Sequence, residues 1–452
     1  MPINQWSVNK QSVICCLLIL NLMAMINTAA YSKEDMDSPA VSGTSTSIVN
    51  KPAWMTELSF GIKEGYDDNI LGVSGNHMPR SYSWLTTLSP KIGIDFAKLI
   101  DSQNVLQELS FRYQPESTTF SQASEENNIA HRLLNTIKAK MGDTSLNLDN
   151  AFIYVDGSNT APIYSSPDNV RSSYAHAMPR ERRHQYQDQM KLNLKVDLGP
   201  FFVRPAGSLQ FWDMLTDQKT TSGYQNWVDR YDINGGMDVG RSISSQMAVF
   251  LGYRYGHQYQ GNVLNSKYSS TNDYQRAIAG IEGKLFKWLT LSIAAGPDFR
   301  QYDDTAPVNN KNQVDFYGES SLAAEITKKD AVTLKYKAQQ WISSSGQVPT
   351  FDSGFDLGYR HKFLSALAWN LNGQLKNADY TVGNLNTGSK TSLRNDWLYG
   401  ISTGLSYDIN ANIGVNFNIA ANFGRNEQDG ITNAEYREFD QCVTSIGVFT
   451  KF

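Results

Sequence analysis

From Trp54 onward the chain alternates apolar and polar residues with a period of two. Trp54, Thr56, Leu58, Phe60 and Ile62 make one face, and Met55, Glu57, Ser59, Gly61 and Lys63 the other. That is the layout of a β-strand with a greasy side and a wet side. The pattern returns in Tyr82 to Phe96 and in Val105 to Gln114, and is cleanest in Gln187 to Leu198. There Met190, Leu192, Leu194, Val196 and Leu198 alternate with Gln189, Lys191, Asn193, Lys195 and Asp197. Later examples are Val249, Leu251, Tyr253 and Tyr255; Val314, Phe316 and Leu322; Val332, Leu334 and Tyr336; Tyr399, Ile401, Leu405 and Tyr407; and Ile413, Val415, Phe417 and Ile419. The repetition predicts about 16–18 strands, most simply eighteen.

The connections alternate as well. Short ones with turn chemistry are expected at Gly142-Asp143-Thr144, Gly199-Pro200, Lys328-Lys329-Asp330, Arg360-His361-Lys362 and Asp408 to Asn412. Long polar ones are expected at Asp67 to Arg80, Pro115 to Ala130, Gly157 to Tyr186, Thr216 to Asn226 and onward to Arg425–Arg437. A soluble sandwich also alternates, but it must cover its apolar faces with a second sheet and has no reason to gather the long loops at one end. A transmembrane barrel accounts for both facts: lipid solvates the outer face and closure satisfies the backbone, with short periplasmic turns at one end and long external loops at the other. The fold expected is therefore all-β, a transmembrane antiparallel up-and-down β-barrel over residues 53–452.

The N-terminus agrees with export. Lys10, the apolar run Val13 to Ile26 and the small residues Thr28-Ala29-Ala30 have the three-part layout of a signal peptide, expected to span residues 1–30 and to be cleaved after Ala30. Residues 31–52, rich in Ser, Thr and Pro, are expected to form a disordered periplasmic tail. Cys15 and Cys16 leave with the signal, so the mature chain keeps only Cys442 and has no internal disulfide. Losing Lys10 leaves 39 basic against 44 acidic residues, a net charge of −5, and no strongly basic surface for nucleic acid. Mean hydropathy is below zero and no later run is long and apolar enough for a membrane helix. At the other end Ile446 and Val448 share a face with the terminal Phe452, which resembles the signal read by the barrel assembly machinery of bacterial outer membranes. Aromatics are 12% of the chain, and Trp54, Tyr66, Tyr82, Tyr113, Trp227, Trp288, Trp341 and Trp397 are expected at headgroup level near strand ends.

With the apolar faces outward, the polar faces line a lumen. The charges expected there include Glu108, Arg112, Asp149, Lys191, Lys195, Arg204, Arg230, Asp232, Arg254, Arg300, Glu319, Lys335 and Asp356. Charges of both signs in such number predict a hydrated bore, and a hydrated bore across a membrane is a channel. The loop from Gly157 to Tyr186, with Arg180, Arg182, Arg183 and His184, is the expected constriction. The competing expectation is a bore plugged by inward loops and paired charges.

The run Gly65-Tyr66-Asp67-Asp68-Asn69-Ile70 ends the first strand, where Asp and Asn side chains can bind local backbone and close a turn. It lacks the ligand spacing and terminal Glu of a calcium loop. Together with Leu88-Ser89-Pro90 ahead of Ile92, Ile94 and Phe96, it resembles the opening of the β-barrel porin 2 family of Gram-negative outer-membrane proteins. The resemblance implies a porin-like protein, with some members similar to the outer-membrane component of exopolysaccharide export, and supplies no catalytic residues.

The function expected is an outer-membrane porin-like channel for small hydrophilic solutes, in contact with outer-membrane lipids and lipopolysaccharide. The alternatives are the outer-membrane pore of a polysaccharide export system, whose lumen would present a continuous positive track, and a plugged structural barrel. No enzyme activity, cofactor or metal is expected: His77, His131, His176, His184, His257 and His361 form no nucleophile–base signature and no metal-ligand spacing.

Overall fold

The computed structural model describes residues 51–74, 80–99, 105–158, 181–215, 228–261, 269–306, 308, 311–342, 349–380, 394–428 and 438–452. The expected signal peptide, most of the tail, Arg180, His77, His176, Trp227 and most of several long connections lie outside the described residues.

Eighteen antiparallel strands form one sheet whose first and last members pair, closing it into a cylinder. In chain order they are β1 (Met55–Asp67), β2 (Ser83–Asp95), β3 (Leu106–Phe120), β4 (Asn128–Met141), β5 (Thr144–Gly157), β6 (Gln185–Leu198), β7 (Phe201–Met214), β8 (Arg230–Ser242) and β9 (Met247–Gln260). They continue as β10 (Asn272–Phe286), β11 (Leu289–Tyr302), β12 (Asn312–Glu325), β13 (Asp330–Trp341), β14 (Thr350–Lys362), β15 (Leu367–Tyr380), β16 (Arg394–Asp408), β17 (Ile413–Gln428) and β18 (Phe439–Lys451). Each strand pairs with its neighbours in sequence, and β1 meets β18 from Ser59↔Lys451 to Asp67↔Val443. Closure removes the two free edges that an open sheet would expose. A single helical turn, α1 (Phe96–Leu99), stands between β2 and β3.

The ladders carry one face around the wall. Thr136, Asp149, Lys191, Ser208, Asn234, Gly256, Tyr274, Arg300 and Gln313 form one continuous row from β4 to β12. The phase is the one the alternation predicts, with polar residues inward, while Phe60, Trp84, Leu192, Ile233, Leu251, Val314, Phe316 and Ile446 stand exposed on the outside. So much contiguous apolar exterior is what a lipid-solvated surface requires and what water would not tolerate. Outward charges such as Glu64, Asp188, Asp273 and Arg425 fall close to the long-loop ends of their strands.

The turns at the other end are tight where glycine permits it: Gly142 and Gly199 have φ of 58° and 67°, a region costly for other residues. Prolines interrupt the ladder. Pro90 of β2 and Pro115 of β3, neither with an N–H to give, fall in the stretch where the β2–β3 pairing lapses between Leu88↔Ser117 and Ile92↔Tyr113.

Three expectations change. Arg360, His361 and Lys362 are the last residues of β14, so the turn lies after them. Pro115 to Ala130 is mostly strand, because Glu116 to Thr119 keep pairing beyond the proline break, and the connection shrinks to 121–127 around a short 3-10 turn at Ser124–Glu126. The interior also has an apolar patch of its own, where Phe202, Phe250, Ile278 and Ala294 cluster on the inner face of β7 to β11. Phe202 lies on Gly240 and Phe250 on Gly280, an aromatic side chain filling the space left by a glycine on the next strand.

Candidate functional site: the barrel interior

The register turns every one of the thirteen expected lumen charges inward, and the interior divides into two unlike sectors. Along β7 to β11 the charges are consumed in the wall. Arg204 donates from Nε to Asp238 at 2.8 Å and from Nη1 to Glu282 at 2.7 Å, reaching from β7 to β10. Its guanidinium stands 4.8 Å from the Phe250 ring centre. Arg254 takes the other oxygen of Asp238 at 2.6 Å. Nearer the long-loop end Asp232 accepts from the Tyr274 hydroxyl at 3.0 Å and from Gln258 at 2.6 Å. Asp298 accepts from both Arg276 at 3.0 Å and Arg300 at 2.8 Å, and the Asp298 and Arg300 side chains are 0% exposed. The expectation that such charges demand water thus fails in this sector. Here a guanidinium is shared among several acceptors in fixed geometry, the condition under which a buried charge is tolerated.

Arg300 also mends the wall. The β12–β13 ladder stops at Gly318↔Ala338 although both strands continue toward the long-loop end. The Arg300 guanidinium donates to the Gln340 carbonyl at 3.0 Å, supplying a partner at the gap in that ladder.

The other sector is looser. Arg112 pairs with Glu57 at 3.0 Å and Lys138 with Glu108 at 2.7 Å, all partly exposed. Asp149 accepts from Thr136 at 3.0 Å, Lys195 pairs with Asp197 at 2.6 Å, and Lys376 approaches Asp356 at 3.9 Å. Lys191 on β6 and Lys335, Lys337 and Glu319 on the facing strands β13 and β12 are exposed to solvent inside the barrel. Among the described residues none of the three lysines has a carboxylate oxygen within 4.0 Å.

A contact between strands far apart along the wall was not foreseen. Trp341, expected at headgroup level on the outside, faces inward: it is level with Thr350, and its ring meets that of Trp212 on β7 edge-to-face at 6.0 Å. Trp212 is level with Arg230, whose guanidinium sits 4.7 Å from the indole centre. The sequence carried a signal for Trp212, which shares its alternation phase with Arg204, Ser208 and Gln210 while Leu209 and Phe211 take the other. For Trp341 the phase of Lys335 and Lys337 says the same, and strand-end position was the weaker guide.

The opening motif closes the cylinder. Asp67 accepts from the Asn69 N–H at 2.9 Å and from Gln441 at 2.9 Å. The Asp68 N–H donates to the Cys442 carbonyl at 3.2 Å, and the Cys442 N–H returns a bond to the Asp68 carboxylate at 2.6 Å. Burial lifts the Asp68 carboxyl above the usual range, opposed by the Cys442 N–H and the charge of Arg80. Asn69, fully buried, donates to the carbonyls of Val73 at 2.8 Å and Asp440 at 2.7 Å and accepts from the Val73 N–H at 3.0 Å. Arg182 ties the last part of the β5–β6 connection to the same place, donating to the Ile70 carbonyl at 2.7 Å and to Glu126 at 2.9 Å, while Arg183 also pairs with Glu126. Arg182 and Arg183, two of the basic residues of the connection expected to form the constriction, are thus engaged in fastening it to Glu126 and Ile70.

The described histidines serve the outer surface or its rim. His131 binds the Tyr113 hydroxyl at 2.7 Å, His184 that of Tyr154 at 3.0 Å, and His257 and His361 pair with Asp273 and Asp330 at 2.8 and 2.7 Å. Among the described residues no group of three or more His, Cys, Asp or Glu is arranged to hold a metal ion.

No family model matches the chain, and no curated protein matches it either. Among solved structures it is similar to the outer-membrane protein opdK of Pseudomonas aeruginosa at 11% identity, covering 88% of this chain and 99% of that one with a TM-score of 0.40. OccK2 (OpdF) of the same organism, solved in complex with glucuronate, is similar at 9% identity, covering 88% and 98% with a TM-score of 0.41. The siderophore receptor PirA of Pseudomonas aeruginosa is similar at 6%, covering 88% and 80% with a TM-score of 0.38. Likeness at this level carries no statement about activity, which has to come from the interior itself.

Proposed function

We propose that this chain is an outer-membrane channel of a Gram-negative bacterium through which small hydrophilic solutes diffuse with weak charge selectivity. The observation that carries the reading is the pairing of a closed wall, apolar outside, with solvent-exposed charges of both signs inside, Lys191, Lys335, Lys337, Glu319 and Asp356 among them. The export signal expected in residues 1–30 and the aromatic Phe452 directly after β18 accord with delivery to that membrane by the barrel assembly machinery, and the tight-turn end would face the periplasm. The resemblance of Gly65 to Asn69 and Pro90 to the β-barrel porin 2 family points the same way. A polysaccharide export pore would need an unbroken positive track, and Arg204, Arg254, Arg276 and Arg300 are each neutralised by a carboxylate.

The test is reconstitution into a planar bilayer. The wild-type protein is expected to conduct, and Lys191→Glu with Lys337→Glu to shift the reversal potential in a salt gradient toward cations. A correctly folded protein that fails to conduct, even after shortening of the β5–β6 connection, would remove the channel reading.

A further inference from the structure

We infer that the bore holds a saturable site for small doubly charged oxyanions, formed midway along the strands where Lys191 of β6 faces Lys337 of β13; this rests on the channel reading above and narrows it to a class of solute. The two walls come together at the Trp212–Trp341 contact, although β7 and β13 are six strands apart in the sheet. Ser208 lies four residues below Trp212 on the same face of β7, and Lys337 four residues below Trp341 on the same face of β13. The descent is about 13 Å on both walls. Lys191 is level with Ser208 on the adjoining strand. The ammonium groups of Lys191 and Lys337 are therefore carried to one height by walls that already touch above them. In keeping with this placement, the charge of Lys191 acts on Lys337 across the bore.

Unlike the guanidinium groups of β7 to β11, these lysines are open to the lumen. Lys191, Lys335 and Lys337 are exposed, and the acids near them are engaged elsewhere or stand apart. Asp149, level with Lys191, accepts from Thr136 at 3.0 Å and from Asn147 at 2.8 Å. Asp356, level with Lys335, approaches Lys376 instead. Glu319 is level with Lys337 on β12, but among the described residues its carboxylate forms no ion pair with that lysine. Arg276 and Asp232, whose charges also reach Lys337, are held in the buried network by Asp298 and by Tyr274 and Gln258. Two ammonium groups brought together with no carboxylate between them repel, and each carries three N–H donors for an incoming acceptor. A monoanion offsets one charge. A solute with two negative charges offsets both and makes charge-assisted hydrogen bonds to both walls, in a passage whose apolar surround strengthens the field.

Two readouts test this. In a planar bilayer with potassium chloride on both sides, sodium succinate and sodium sulfate are each expected to lower the chloride current reversibly, at concentrations about tenfold below those at which sodium acetate does so. Block by succinate alone would assign the site to extended dicarboxylates, and block by sulfate alone to compact oxyanions; either upholds it. Lys191→Gln and Lys337→Gln are each expected to weaken the block by about tenfold, the loss of one charge-assisted contact. Lys195→Gln removes the same charge from a lysine already paired with Asp197, and should leave the block unchanged. Separately, equilibrium dialysis of the folded, detergent-solubilised protein against labelled succinate is expected to show saturable binding in wild type and about tenfold weaker binding in Lys191→Gln and Lys337→Gln. A conducting channel in which acetate blocks as well as succinate and sulfate, or in which Lys195→Gln weakens the block as much as Lys191→Gln, overturns the inference and leaves the channel reading standing. A protein that does not conduct removes the channel reading, and dialysis then decides the site by itself, absence of binding overturning it.

Discussion

Removing the Asn69 side chain should loosen the barrel at its closing seam. Asn69→Ala deletes a donor to the Asp440 carbonyl of β18, a donor to the Val73 carbonyl and an acceptor for the Val73 N–H. Asn69 is 0% exposed, so water is not at hand to replace these bonds. A neutral hydrogen bond contributes about 1 kcal/mol net, and a buried group left unpaired costs about 1–3 kcal/mol. Three orphaned backbone groups, partly relieved by relaxation of the adjoining loop, give an expected loss of about 3–5 kcal/mol. The control is Asn410→Ala, which removes bonds of comparable length to the N–H groups of Asn412 and Ile413 in an exposed turn and should cost about 1 kcal/mol or less. Urea unfolding in lipid vesicles, followed by tryptophan fluorescence, measures both. Amide exchange should also quicken selectively between Gly65 and Asp67 and in the facing residues Val443 to Ser445, which are their partners at the seam. Equal losses for the two variants, or exchange that quickens evenly around the wall, would refute the assignment of this motif to closure.

Other variants probe the wall and the buried charges. A Cβ at position 280 would come within 2.2 Å of the Phe250 ring and 2.8 Å of the Ile293 carbonyl, so Gly280→Ala should destabilise the barrel by about 1–3 kcal/mol in the same unfolding assay. Gly61→Ala, whose nearest neighbour would be 3.8 Å away, should be close to neutral. Leu251→Arg places a charge on an outward position that is 69% exposed and should cost about 2–4 kcal/mol in vesicles. A much smaller cost would mean that this face does not meet the hydrocarbon. Arg300→Ala should cost about 3–5 kcal/mol, because it strips Asp298 of one partner and returns the Gln340 carbonyl to an unpaired state. The accompanying increase in hydrogen exchange should centre on the β12–β13 seam.

The local pattern in the sequence was sufficient for the strands, their number and the direction each face turns, because a side chain's side of a pleated sheet depends only on its parity along the chain. Lys191, Asp232 and Arg300 could be placed on the inner face without knowing any partner. The tight turns at Gly142 and Gly199 were legible for the same reason, each being set by adjacent residues. Parity says nothing about how far a side chain reaches or what it meets on the opposite wall. Whether Arg300 lines open water or lies buried between Asp298 and the Gln340 carbonyl depends on strands separated by tens of residues. So do the role of Asn69 in joining the two ends of the chain and the meeting of Trp212 with Trp341. Those outcomes are contacts between distant segments, and only the closed curvature of the wall brings such segments within a side chain's length of one another.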